Sequence, residues 1–299
     1  MSTKLHIHQL LENIKSGVPK ELDLVIDGGA FNGFYTLGAL MYLKEMEKKN
    51  MCKIVRVSGC SVGSILGALY LTDNLDLLVD RFKQIRKCIK QNRNISVVQE
   101  QMVYLLNDAL KDKNIEILNN RLYINYYSLD EKKNTVIDTY SSVEFLVDTI
   151  LKSSYLPLVI DGNITYKDGF IDGINPYIFK NRTRKILFLK GITFNVGKTL
   201  SIYNEHNAYS RITEGIIYMH YFFLEKKTTI ASYIHKWSNY DLFIFRMREI
   251  FAVIIVYSIY YSQFISFPGF LNDLHIVNKL KDIVGYLIDD FLGIFLKTE

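Results

Sequence analysis

The chain has 299 residues, 49% of them hydrophobic and 22% charged, which is enough apolar material for one large core or two smaller ones and excludes a disordered chain. Its net charge of +5 comes from scattered Lys and Arg; charge so diffuse suits an anionic surface, and without a zinc or base-stacking motif it argues against a nucleic-acid partner. Three cysteines, Cys52, Cys60 and Cys88, lack metal-ligand spacing and leave an odd count for disulfides, so a reducing, cytoplasmic compartment is expected, with no signal peptide in Met1–Lys20.

In chain order, Leu5 to Ile14 has the spacing of an amphipathic helix, broken by Gly17 and Pro19. Leu22 to Ile26 is a compact apolar strand that runs directly into Asp27-Gly28-Gly29-Ala30-Phe31-Asn32-Gly33. From Phe34 the apolar positions Leu37, Leu40, Met41, Leu43 and Met46 recur at helical intervals. A strand, a glycine-rich loop and a helix in this order collect backbone N–H groups around an anion, either a phosphate or an oxyanion. Ile54 to Val57 is a second strand and Val62 to Leu71 a helix rich in small residues. Between them Gly59-Cys60-Ser61-Val62-Gly63 has the form G-x-S-x-G of a nucleophile elbow. A serine on so sharp a turn has a strained backbone, which explains side-chain-free neighbours at Gly59 and Gly63. The helix that follows aims N–H groups and its positive dipole end toward an oxyanion beside Ser61. By itself the five-residue pattern also arises by chance and in turns without a nucleophile.

Asn74 to Lys90 reads as a helix with a basic face (Arg81, Lys83, Arg86, Lys87, Lys90), and Val97 to Leu110 as another. Leu122–Tyr127 and Thr135–Thr139 form a hairpin, and Ser141 with Glu144 a capping box opening a helix to about Ser153. The stretch Ile164 to Pro176 holds two Asp-Gly pairs, Asp168-Gly169 and Asp172-Gly173, with a short strand expected just before Asp168. Ile186 to Leu189 is a buried strand; Gly191 to Thr199 has five residues between its glycines and is not a P-loop. Glu205–Glu225 and Asp241–Phe267 read as helices. Ile250–Leu271 carries no charge and has the length to enter a bilayer, but tyrosines spread through it favour a buried or interfacial helix over a span. Ile283–Leu296 is a final amphipathic or buried helix.

A serine nucleophile needs a base and oxyanion donors. None of the six histidines, His6, His8, His206, His220, His235 and His275, lies in a glycine-framed strand-end loop, which turns attention to a carboxylate acting directly on the serine. Here the chain resembles the patatin-like phospholipases, serine lipid acyl hydrolases with a Ser-Asp dyad. Asp27 to Gly33 resembles the oxyanion loop D-G-G-G-x-[KR]-G, Gly59 to Gly63 matches G-x-S-x-G, and Asp168-Gly169 with Asn175-Pro176 resembles the D-G-[GA] motif and its trailing Asn/Pro. The three motifs follow the family's order and span Leu22 to Asn181. Three departures stand out: Ala30 for the third glycine, Asn32 for Arg or Lys, and Phe170 for Gly or Ala.

The resemblance implies a three-layer α/β fold with a mixed central sheet over residues 1–200, followed by a mostly helical, apolar region over 201–299. It implies Ser61 as nucleophile and Asp168 as base, with Asp172 as rival for the dyad position. Asp168 is preferred for its distance to Asn175-Pro176 and for following the expected strand. N–H groups of Gly28, Gly29 and Ala30 would hold the oxyanion, and Gly33, Gly59, Gly63 and Gly169 are motif glycines. The implied reaction is hydrolysis of acyl esters of glycerolipids, phospholipase A type, on phospholipid or another acyl-ester lipid, with no metal or cofactor and with a membrane surface as a partner through residues 250–271. The alternatives are a Ser-His-Asp esterase using His220 or His235, and an inactive membrane-associated protein whose pocket Ala30, Asn32 and Phe170 have closed.

Overall fold

A computed structural model of the chain describes residues 2–14, 17–92, 96–111, 113–158, 160–167, 169–181, 183–191, 207–226 and 228–262. The elements are α1 (Ser2–Leu11), β1 (Glu21–Ile26), α2 (Gly33–Lys48), β2 (Lys53–Gly59), α3 (Val62–Leu71), α4 (Leu75–Asn92), α5 (Ser96–Leu110), β3 (Leu122–Ser128) and β4 (Lys133–Ile137). They continue with α6 (Val143–Ser153), β5 (Phe170–Asp172), β6 (Lys185–Leu189), α7 (Tyr209–Phe223), β7 (Ala231–Tyr233) and α8 (Asn239–Ser262).

The strands form one mixed sheet in the order β4-β3-β2-β1-β6-β7, with β5 also on β3. Strands β1, β2, β3 and β6 run parallel, whereas β4, β5 and β7 are antiparallel to their neighbours. Alternation along the strands divides the core. Leu22, Leu24 and Ile26 of β1 with Leu187 and Leu189 of β6 face the large core formed with α2, α3 and α6. Val25, Ile186 and Phe188 face the other way, onto Phe179, Ile234 and Phe245 of α8. The result is the expected three-layer α/β arrangement, with β7 and α7 joined to the same sheet and core.

The tightest helix contact pairs α2 with α7 through two glycines. A Cβ at Gly38 would fall onto the carbonyl oxygen of Ile212, and one at Gly215 onto that of Tyr35, so each helix uses a missing side chain to let the other's backbone approach.

Two local expectations are corrected. The cap of α6 is Ser142, not Ser141: it has extended backbone and its hydroxyl accepts the Phe145 N–H at 3.2 Å, so the Ser141/Glu144 box does not form. Nor does a strand lead up to position 168. Tyr166 and Phe170 form an isolated antiparallel bridge, and the strand that joins the sheet is β5, Phe170–Asp172. Asp168 itself lies outside the described residues, as do the stretches 192–200 and 263–299, with the 283–296 helix expectation. No described helix is long and apolar enough to cross a membrane; of 250–271, only the part up to Ser262 is described, within α8.

Gly38→Ala is expected to lower stability by about 1–3 kcal/mol in urea unfolding, because the clash is with rigid backbone. Gly67→Ala should cost less: its Cβ would meet side chains, Val57 at 3.0 Å and Leu122 at 3.1 Å with Ile26 farther off at 3.9 Å, while the helix gains about 1 kcal/mol of propensity.

Candidate active site

Ser61 joins β2 to α3 with φ 53° and ψ −134°, a conformation that costs a non-glycine residue on the order of 1–3 kcal/mol. Its surroundings enforce it. A Cβ at Gly59 would lie 2.8 Å from the Ser64 nitrogen, and one at Gly63 would lie 2.5 Å from the Ile26 oxygen, so both glycines of G-x-S-x-G are required by close backbone approach. The Ser61 N–H is shared between the carbonyl oxygen and hydroxyl of Ser153, at 3.0 and 3.1 Å. The Ser64 N–H and hydroxyl donate to the Ser61 carbonyl at 3.0 and 2.6 Å, which starts α3.

The glycine loop after β1 lies against this elbow. A Cβ at Gly28 would touch that of Ser61 at 3.2 Å and lie 3.6 Å from the Cys60 sulfur. Gly29 has φ 147° and packs on the Gly191 backbone, where a Cβ would sit 2.6 Å from the carbonyl carbon. Ala30 has φ 45°. This explains the glycine expected there, because an L-residue in the left-handed region costs about 1–2 kcal/mol. Asn32, in place of a basic residue, donates to the Gly191 carbonyl at 2.9 Å. The cation comes from elsewhere: Arg211 of α7 donates to the Phe31 carbonyl at 3.0 Å and reaches Asn32 Oδ1 at 3.4 Å. Gly33 packs on Val62.

The described carboxylate beside the Ser61 side chain belongs to Asp172, whose pKa Ser61 pulls downward. The Ile174 N–H donates to its Oδ1 at 2.7 Å. Topology brings the two together. Strand β2 occupies one edge of β3 as far as Gly59, opposite Ile124, and β5 continues that edge with Asp172 opposite Tyr126. One turn then holds both backbones: as Ser153 accepts the Ser61 N–H, Tyr155 accepts that of Asp172 at 2.9 Å. Phe170, which replaces a small residue, stacks edge-on to Tyr126 at 5.2 Å between centroids, with Lys152 4.4 Å over its ring. Gly169, with φ 94°, packs on the Asp130 carboxylate.

Burial pushes the Asp172 carboxyl up to about 6, and Asp27 adds to the shift; the bonds from Ser61 and Ile174 and the charge of Arg248 oppose it. Burial likewise pushes the Cys60 thiol well up, which leaves it an inert neighbour. The histidine alternatives are engaged elsewhere. His220 meets the Tyr42 hydroxyl at 3.0 Å. His235 stacks on Tyr233, paired with Leu187 of β6, and feels the charge of Lys185 at the start of that strand, whereas Ser61 follows the end of a parallel strand. His206 and His275 lie outside the described residues.

Sequence reasoning missed Arg248 of α8. Its two η nitrogens donate to the two Asp27 carboxylate oxygens at 2.7 and 3.0 Å, and its Nε donates to Asn175 Oδ1 at 2.6 Å. The available signal was a cation just ahead of the uncharged run at 250.

Fold and loops define an α/β protein with an elbow serine flanked by a glycine loop. Residues 24–176, just over half of the chain, match the patatin-like phospholipase family, and the chain belongs to that family. The chain is similar to the omega-hydroxyceramide transacylase of Homo sapiens, 22% identical over 164 residues, which are 51% of this chain and 31% of the relative. It thus matches about a third of that protein's length.

Two outcomes follow. Ala30→Gly should leave stability unchanged or raise it by up to about 1 kcal/mol, relief of the left-handed backbone outweighing glycine's entropy, while Gly29→Ala destabilises through its clash. Asp172 has a folded pKa above its unfolded one, so it opposes folding once ionised, and its contribution falls as pH rises from about 4 through about 6. Asp172→Asn is therefore expected to be at least as stable as the parent at pH 7, with the difference shrinking toward pH 4 in a urea-midpoint series.

Proposed function

We propose that the chain hydrolyses acyl esters of glycerolipids, as a phospholipase A, with Ser61 as nucleophile and Asp172 as its base. Asp172 accepts the Ser61 proton as Oγ attacks the ester carbonyl. The N–H groups of Gly28, Gly29 and Ala30 stabilise the oxyanion. The tetrahedral intermediate collapses, Asp172 returns the proton to the leaving alcohol, and an acyl-enzyme remains. Water, deprotonated by Asp172, then releases the fatty acid and restores the serine. What supports this reading is the buried Asp172 carboxylate beside the Ser61 side chain, with His8, His220 and His235 engaged elsewhere.

Transfer of the acyl group to a lipid alcohol is the second outcome open to the same acyl-enzyme, and the name of the human relative favours it. Ser61 is only 9% exposed and Asp172 7%, so the acyl-enzyme forms in a site with little access for bulk water. The three departures do not argue for inactivity: the loop holds Ala30 in its left-handed conformation, Asn32 is hydrogen-bonded, and Phe170 packs on Tyr126.

The test is labelling by a fluorophosphonate, followed by product analysis with a phospholipid alone and with an added lipid alcohol. Labelling at Ser61 is expected, lost in Ser61→Ala, reduced about 10²–10⁴-fold in Asp172→Asn, and retained in His220→Ala and His235→Ala. Free fatty acid marks hydrolysis and a new ester marks transfer, whereas a folded protein that takes no label is inactive. Because the base must be ionised, kcat/KM should rise with pH through about 6.

A further inference from the structure

The elbow, the glycine loop and Asp172 all lie between residues 27 and 175, yet a helix that begins at Asn239 reaches this segment twice. Asn175, three residues after Asp172, is bonded to α8 at both ends of its side-chain amide: Nδ2 donates to the Phe245 carbonyl at 2.5 Å and Oδ1 accepts from Arg248 Nε at 2.6 Å. The rest of the Arg248 guanidinium closes a two-bond fork on Asp27, whose carboxylate is fully buried. Asp27 is the first residue of the glycine loop, and its own N–H is fixed on the Leu189 carbonyl at 2.9 Å.

We propose that Arg248 is a positioning residue of the reaction: one planar guanidinium locks the glycine loop at Asp27 to the segment that carries Asp172 and supplies the positive charge against which Asp172 works as a base. The inference rests on the Ser61–Asp172 reading and lies outside the family-matched segment 24–176. Two carboxylates, Asp27 and Asp172, converge on this small buried region. Without a cation they would repel each other, and one would take up a proton. Among the described residues, the charged and titratable groups that bear on Asp172 are Asp27 after β1, Cys60 before α3 and Arg248 on α8. Of these Arg248 is the cation, and it feels both carboxylates in turn. The fork geometry also explains an arginine here, because a lysine carries charge but cannot bridge Asp27 and Asn175 in one plane. In this account the helical region after residue 200 completes the catalytic unit.

The test is the pH dependence of Ser61 labelling by a fluorophosphonate in the full chain, with folding followed by circular dichroism. Arg248→Gln is expected to move the acid limb upward by a pH unit or more, so that labelling falls about tenfold at pH 6 while approaching the parent rate near pH 8.5. Arg248→Lys should restore part of the limb. Asp27→Asn combined with Arg248→Gln should bring it back toward the parent, because the uncompensated charge is gone. A loss uniform across pH, or a double variant no better than Arg248→Gln, would assign Arg248 a merely structural role and overturn the proposal. If Asp172→Asn labels normally, the dyad reading itself fails; if it does not label and Arg248→Gln keeps the parent limb, the dyad stands and this proposal alone falls.

Discussion

The active-site geometry depends on how one edge of β3 is shared. Strand β2 pairs along it and stops at Gly59, and β5 takes up the same edge two residues on. Because neighbouring pairs on one edge are spaced by the strand repeat, this brings the end of β5 to the turn that leaves β2. The turn after α6 reinforces the arrangement, since Ser153 and Tyr155 accept the main-chain N–H groups of Ser61 and Asp172 respectively. The main-chain N–H groups of both Ser61 and Asp172 are thus held by one turn.

That frame holds a strained element. The Ser61 dihedral angles persist because Gly59, Gly63 and the Ile26 carbonyl leave no room for another path. The left-handed Ala30 stores a second, smaller strain in the loop that faces the serine. A buried carboxylate completes the set, with a pKa raised to the region where it is ionised at neutral pH yet still basic enough to take a proton. Each of these features works against folding. The apolar faces on both sides of the sheet and the α2–α7 contact through Gly38 and Gly215 offset them.

Where a residue type answers a local steric demand, the chain was readable in advance. G-x-S-x-G needs its two glycines for backbone clearance, Leu22–Ile26 alternates between two cores, and Val62–Leu71 forms the helix its small residues suggest. Which of Asp168 and Asp172 adjoins a strand was of another kind. Two Asp-Gly pairs four residues apart look alike locally, and the strand is Phe170–Asp172, too short for alternation to declare itself. Which pair joins the sheet depends on β3, more than 40 positions earlier. The α6 cap failed for a related reason: adjacent serines both suit the role, and only the backbone at Ser142 selects one. Arg248 was the least visible, since its partner Asp27 stands 221 positions away and no periodicity links a surface helix to a loop it braces.

The most direct measurement is a crystal structure of the chain after reaction with a fluorophosphonate. The account predicts phosphorus on Ser61 Oγ, a phosphonyl oxygen within about 3 Å of the Gly28, Gly29 and Ala30 nitrogens, and the Asp172 carboxylate beside Oγ at hydrogen-bond distance. An Asp168 carboxylate or an imidazole in that place, with Asp172 turned away, would contradict it.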